Sequence, residues 1–328
     1  MSLTLSLFSL IVVLLLEQLR PLPVKQVVLD PLHKLTAALV KRLDPKYRHH
    51  EQLVWGLLVF GGMGLCALIS YLLPLALAVL FAVLVLYLSL GFRHESHYFT
   101  DIHYALRAGE LDRARDLLSE WRGARYGETD SGEIVRLTIE QALVGAHRNV
   151  FGVAFWFVIL GPYGAVMYRL ARFLYDEWWK AEPMYGSDVN SELGAEAVPS
   201  HVASNVWGRK YGEFACHAFL ILDWLPSRMT AILFAIGGNF EDSVICWRAQ
   251  SVLWPDRACA VLVTSGAGAL GVRLGESDSD EDEAAEGRPE VGVGEKAGVD
   301  DLQATVGLVW RALIVCLMLL TLTTIASW

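Results

Sequence analysis

Apolar residues in this chain come in long unbroken runs rather than in the one-faced patterns of a water-soluble domain. The longest covers residues 52–92, 41 positions without Asp, Glu, Lys, Arg or His. A bilayer core takes about 20 apolar helical residues to cross, so this run is long enough for two crossings. Pro74 lies near its middle, and a proline both lacks a backbone donor and disfavours a continuing helix. The two spans are therefore expected to turn there. Further uncharged runs occupy residues 1–16, 149–168, 258–272 and 312–328. The first lacks a basic flank and a small-residue cleavage site, which predicts an uncleaved span rather than a signal peptide. Residues 214–240 carry Asp223 and Arg228 inside an otherwise apolar stretch. That pattern is compatible with a crossing, a re-entrant segment or an interfacial helix. With no strand-like alternation, the expected fold is all-α: a polytopic membrane helical bundle of about five spans, between four and six.

Residues 93–148 differ from their surroundings and predict a helical cytoplasmic insert. Leu111, Ala114, Leu117, Leu118 and Trp121 share one helical face, and Gly123 is placed to stop that helix. A second helix is expected to start near Asp130, with Glu133 completing a capping box. Its apolar face holds Ile134, Leu137, Ile139 and Ala142, and it is expected to run straight into the membrane at Asn149. Gly161-Pro162-Tyr163-Gly164 should break the span that follows, and residues 183–213 read as loop. The predicted organisation is thus 1–92, membrane helices with a basic loop at 17–51; 93–148, the insert; 149–272, membrane-associated helices with broken segments; 273–301, an acidic disordered loop; and 302–328, a last membrane helix.

Charge refines this picture. The net charge is −9, and residues 274–301 alone hold eleven acids against Arg288 and Lys296, so the rest of the chain is neutral. Such a Gly- and acid-rich segment cannot bury a core and reads as a solvated linker. The 17–51 loop carries seven Lys and Arg against four acids, which puts it in the cytoplasm of a multi-pass inner-membrane protein. The hairpin then returns the chain to the same side, and residues 93–148 with eight Arg are cytoplasmic as well. Five cysteines without a CxxC pair argue against a disulfide framework or a structural zinc.

Ionisable groups inside membrane segments are costly and are often kept for function. Glu17 follows the first apolar run, where an interfacial terminus is the plainer reading. His94, His97 and Asp101 would share a helical face, but ligand geometry cannot be read from spacing. A polar helix start explains them more simply, and no metal site is assigned. Arg148 opens the next span, with Tyr168 and Arg169 towards its far end. Its planar fork suits a carboxylate or phosphate, and snorkelling to the interface would place it equally well. Asp223 and Arg228 flank Pro226, expected to break the helix, and could pair with each other. The chain has no Walker A loop, GxGxxG, HExxH or GxSxG motif, and nothing basic and aromatic suggests nucleic acid.

Several segments in collinear order resemble the CobD/CbiB family of membrane-bound adenosylcobinamide-phosphate synthases. They are Val135-Arg-Leu-Thr-Ile-Glu140, Phe155-Trp156, Gly161 to Ala165, Tyr168-Arg169, the Asp223-Trp-Leu-Pro-Ser-Arg-Met-Thr-Ala stretch and Gly266 to Gly275. Ala105-Leu-Arg-Ala-Gly-Glu-Leu-Asp-Arg-Ala-Arg has its counterpart in the family's cytoplasmic insert, so the likeness runs from about residue 5 to the C-terminus. It implies that Glu140, Arg148, Tyr168, Arg169, Asp223 and Arg228 line a ligand site for a phosphorylated or carboxylate-bearing small molecule. It also implies ATP and Mg as cofactors if an amide-forming synthase activity is retained. The departures bear on that activity. The synthases' Glu-Asn and Asp-Gly pairs fall here on Val144-Gly145 and Arg148-Asn149, their His-Pro-Val reads Leu22-Pro23-Val24, and an Asn becomes Arg172. This pattern is similar to the AmpE branch, inner-membrane proteins linked to β-lactamase regulation, with an arginine at the Arg148 position. An altered site is expected, and the AmpE likeness implies the alternative of a non-catalytic sensor with a membrane protein partner.

Overall fold

A computed structural model of the chain describes residues 3–19, 31–36, 48–123, 126–127, 129–178, 212–252, 257–274 and 290–327. Helix α1 covers Leu3–Leu19, α2 Arg48–Leu72 and α3 Leu75–Ser89. The turn between α2 and α3 falls at Pro74, as the missing donor requires. Next come α4, Phe92–Arg107, and α5, Leu111–Arg122. Helix α6, Ser131–Ala146, passes through a π turn, His147–Phe151, into α7, Gly152–Leu160. Helices α8, Pro162–Trp178, α9, Glu213–Gly237, α10, Phe240–Gln250, and α11, Arg257–Leu270, follow, and α12, Val299–Ala326, ends the chain.

Four helical stretches are long and apolar enough to cross a bilayer: Glu51–Leu72, Ser131–Leu160, Glu213–Gly237 and Val299–Ala326. Leu3–Leu19, Leu75–Ser89 and Cys259–Leu270 are shorter apolar helices. Many large side chains on these elements face outward, among them Phe60, Leu75, Leu80, Ile221, Ile314 and Met318. In water that surface would be untenable, and in lipid it is the expected exterior. The architecture is that of a multi-pass inner-membrane protein.

The chain forms two compact units. The first contains 22–89 and 156–222, the second 2–21, 90–155 and 223–328. In the first unit, α2 and α3 pack on α8. The approach of α2 to α8 is close enough that a Cβ on Gly62 would lie 2.5 Å from Leu170 Cδ1. Gly161, with φ +78°, turns α7 into α8, and a Cβ on Gly164 would sit 2.3 Å from the Trp156 carbonyl oxygen. The expected break at Gly161-Pro162 is thus a sharp corner that a side chain at 164 would not permit. Glu51, on α2, accepts from the backbone N–H groups of Phe214 and Ala215 at 3.1 and 3.2 Å and so caps α9 from another helix.

In the second unit the insert has its own small core of Ile102, Ala105, Ala114, Leu118, Ile134 and Leu137, with Leu111, Leu117 and Trp121 packed against it. This is the face expected from helical spacing. Gly123 ends α5 in the left-handed region, φ 72°. Asp130 caps α6 through Gly132 N, while Glu133 pairs with Arg136 instead of closing a capping box. Helix α6, the π turn and α7 together make one candidate span, Ser131–Leu160, long and apolar enough to cross a bilayer.

Two expectations need correction. Residues 214–240 do not break at Pro226: α9 runs through the proline without interruption. The N–H that Pro226 lacks would have bonded the Leu222 carbonyl, and the Trp156 indole N–H donates to that oxygen instead, at 3.3 Å. Second, the acidic segment is not wholly loop. Strands β1, Val272–Leu274, β2, Val291–Gly292, and β3, Glu295–Lys296, make a small sheet in the order β2-β1-β3. Leu274 pairs antiparallel with Val291, and Val272 parallel with Glu295. The Gln250 carboxamide binds both the N–H and the carbonyl of Gly292, at 2.6 and 3.1 Å. Residues 275–289, the most acidic part, lie outside the described residues.

Candidate functional site

The second unit buries a polar cluster where the π turn meets α9. His147 and Asp223 have no exposed side-chain surface, and Thr230 is 1% exposed. His147 Nε2 lies 2.8 Å from Asp223 Oδ1, and Nδ1 lies 2.9 Å from Thr230 Oγ1. With Asp223 as the carboxylate acceptor, Nε2 donates to it. Nδ1 is then free to accept the Thr230 hydroxyl proton. Asp223 and Thr230 are seven residues apart on α9, two helical turns, which puts both on the face that meets His147.

Arg148, the next residue, is 2% exposed and donates from Nη2 to the Cys259 thiol at 3.2 Å. None of the five cysteines is in a disulfide, and Cys259 is half-buried. The Asn149 carboxamide donates to the Gly145 carbonyl at 3.0 Å, covering an acceptor at the start of the widened turn. A π turn within an α-helix is rare and frequently marks a functional position. Here it presents an imidazole, a guanidinium and an amide in succession.

Tight packing fixes the scaffold around this turn. A Cβ on Gly266 would meet Leu143 Cδ1 at 2.5 Å, and one on Gly268 would meet the Asp242 carbonyl oxygen at 2.6 Å. Those glycines let α11 lie close to α6 and α10. Ser243 and Ser265 share a hydrogen bond of 2.8 Å, and Ser265 donates on to the Ala231 carbonyl at 2.8 Å, which ties α10, α11 and α9 together.

The profile described as CobD/Cbib protein matches residues 18–174. A cobalamin biosynthesis protein CobD from Chromobacterium violaceum is 30% identical over 241 residues, 74% of this chain and 69% of the relative. This chain belongs to the CobD/CbiB family. A CobD protein from Stutzerimonas stutzeri is 28% identical over 274 residues, 84% of this chain and 82% of the relative. One from Brucella suis is 24% identical over 224 residues, 64% of this chain and 59% of the relative. No solved structure matches.

Within this CobD/CbiB frame the residues singled out from sequence separate. Glu140 is buried on α6, 3.9 Å from Arg136 Nε, and belongs to the second unit with Arg148 and Asp223. Tyr168 and Arg169 belong to the first unit, where Tyr168 is fully buried with its ring 5.6 Å from that of Phe219. Arg172 pairs with Asp176 at 3.2 Å. Arg228 does not pair with Asp223. Its guanidinium lies over the Trp224 ring at 4.2 Å and donates to the Trp224 carbonyl. The physical reason is geometric, since five residues on a continuous helix point the two side chains to different faces.

Of the weaker candidates, Glu17 is buried at the end of α1. His97 and Asp101 meet at 2.8 Å on an exposed turn of α4, and the His94 side chain lies outside the described residues. Asp223 and Arg148 stand out from sequence alone, whereas the roles of His147 and Thr230 appear only when α9 meets the π turn. The signal for His147 is its place beside Arg148 within an apolar stretch.

Asp223 is the one carboxylate of this cluster, and Val144, Gly145, Arg148 and Asn149 offer none. No group of three His, Cys, Asp or Glu among the described residues could hold a metal ion. Magnesium beside a nucleotide is commonly held by one or two carboxylates, water and the phosphates, so Asp223 is the residue here that could contribute to holding it.

Proposed function

We propose that this chain is a CobD/CbiB-type protein tied to the cobalamin pathway, with a polar centre altered for binding rather than for ATP-dependent amide formation. The observation that carries this reading is the buried cluster of His147, Asp223 and Thr230 next to Arg148. It occupies the stretch where the resemblance puts the synthases' acids. The curated relatives are named for cobalamin biosynthesis, which supports the pathway assignment. An arginine in that place favours an anionic partner, a phosphorylated or carboxylate-bearing small molecule, because its fork matches those groups. Lipid is the other partner, and no nucleic acid is expected.

Complementation tests this reading. The chain is expressed in a bacterium lacking its CobD-type synthase, and growth without added cobalamin is scored. No rescue is expected. Rescue would mean that amide formation survives, and the altered-site reading would fall.

The second reading is an AmpE-like non-catalytic sensor linked to β-lactam response. It is favoured by Arg148 standing beside Asp223-Trp-Leu-Pro-Ser-Arg228, the combination on which that resemblance rests. Under it, Arg148→Ala changes β-lactam susceptibility or removes a membrane protein crosslink, while the failed rescue stays as before.

A further inference from the structure

We infer that His147 is a positioning residue: it binds Asp223 through one ring nitrogen and Thr230 through the other, and so fixes the π turn that aims Arg148 at Cys259. This role rests on the proposed function, in which Arg148 is the working cation of the altered centre.

The Gly152 N–H bonds the His147 carbonyl, the i to i+5 pattern that widens a helix. Such a turn is less favourable than an α turn and persists where its surroundings hold it. His147 is its first residue, and both ring nitrogens are engaged by α9 at 2.8 and 2.9 Å. An imidazole bound at both ends cannot rotate without losing a buried hydrogen bond. Relaxing the turn to α would shift the register by one residue, which swings a side chain by about 100°. Arg148 is the residue that such a swing would carry away from the Cys259 sulfur.

Cys259 supplies a readout that does not depend on any ligand. A neighbouring guanidinium favours the thiolate, the form that attacks electrophiles. The full-length protein in nanodiscs is treated with N-ethylmaleimide, which is neutral and membrane-permeant. Labelling of each cysteine is followed by peptide mass spectrometry, with the half-buried Cys316 on α12 as internal reference. Arg148→Gln is expected to slow Cys259 labelling by about tenfold. His147→Ala should slow it by a similar factor. Thr230→Val, which keeps the shape and removes one anchor, should slow it by a smaller one. His147→Gln can donate to Asp223 and accept from Thr230, and should label at the wild-type rate. This pair keeps the test sharp even if His147→Ala does not fold.

Wild-type rates in both His147→Ala and Thr230→Val, with Arg148→Gln slow, would overturn the positioning role alone. A wild-type rate in Arg148→Gln would overturn the reading of Arg148 as the working cation, and the inference with it. A Cys259 that does not label in the native protein would overturn the geometry on which both stand.

Discussion

The Trp156 indole donates to the carbonyl of Leu222, the one acceptor in α9 that Pro226 leaves without its helical donor, at 3.3 Å. A proline is carried through a long apolar helix because a residue 66 positions away supplies the missing bond. In lipid no water can stand in for it. Trp156→Phe should therefore destabilise the protein by about 1–2 kcal/mol, the range for a stranded buried acceptor. In a Pro226→Ala background the backbone N–H returns, and the same change should cost less. Thermal unfolding of the four proteins in detergent measures the difference, and equal losses in both backgrounds would disprove the link.

Asp223→Leu removes the acceptor for a fully buried imidazole. The expected loss is about 2–3 kcal/mol, as for a hydrogen bond to a charged group. Asp223→Asn keeps an oxygen that accepts from Nε2, and should lose less. The ranking of the two, read from unfolding midpoints, checks the assignment of the Nε2 proton.

Gly268 and Gly266 make opposite demands on a substituent. A methyl group at 268 meets the Asp242 backbone, which cannot move alone, while one at 266 meets the tip of Leu143. Gly268→Ala should cost about 1–3 kcal/mol, and Gly266→Ala clearly less. Expression level and melting temperature of the two variants decide this.

The helical insert should soften as pH falls. His103 on α4 is held below the usual histidine range, mainly by burial and then by Arg107, with Asp300 opposing. The folded state therefore takes up the proton less readily than the unfolded chain. Stability from the neutral ring is present above about pH 6.5 and is lost as pH drops from there towards the folded value. Hydrogen exchange in peptides spanning 92–122 should accelerate from pH 7.5 to 5.5 beyond the intrinsic rate change. His103→Gln should abolish the excess, and Asp300→Asn should enlarge it.

Local signals carry much of this architecture. The hairpin turn at Pro74, the left-handed stop at Gly123, the Asp130 cap and the corner at Gly161 each depend on residues within a few positions of the feature. What stays hidden depends on distant partners. Nothing near Pro226 announces Trp156. Nothing near His147 announces Asp223, 76 residues on, or Thr230, 83 residues on. The strands β1 to β3 are two or three residues long, too short to leave an alternating pattern. Asp223 and Arg228 look like a pair because their separation is short, and the unbroken helix parts them.

The double grip of Gln250 on Gly292 has a practical corollary. Together with the Leu274–Val291 pairing it ties residues 274 and 291–292 to each other and to α10, so the two ends of the acidic segment are held at one place. A fluorophore or affinity tag spliced between 275 and 289 should therefore leave the melting temperature of the protein unchanged.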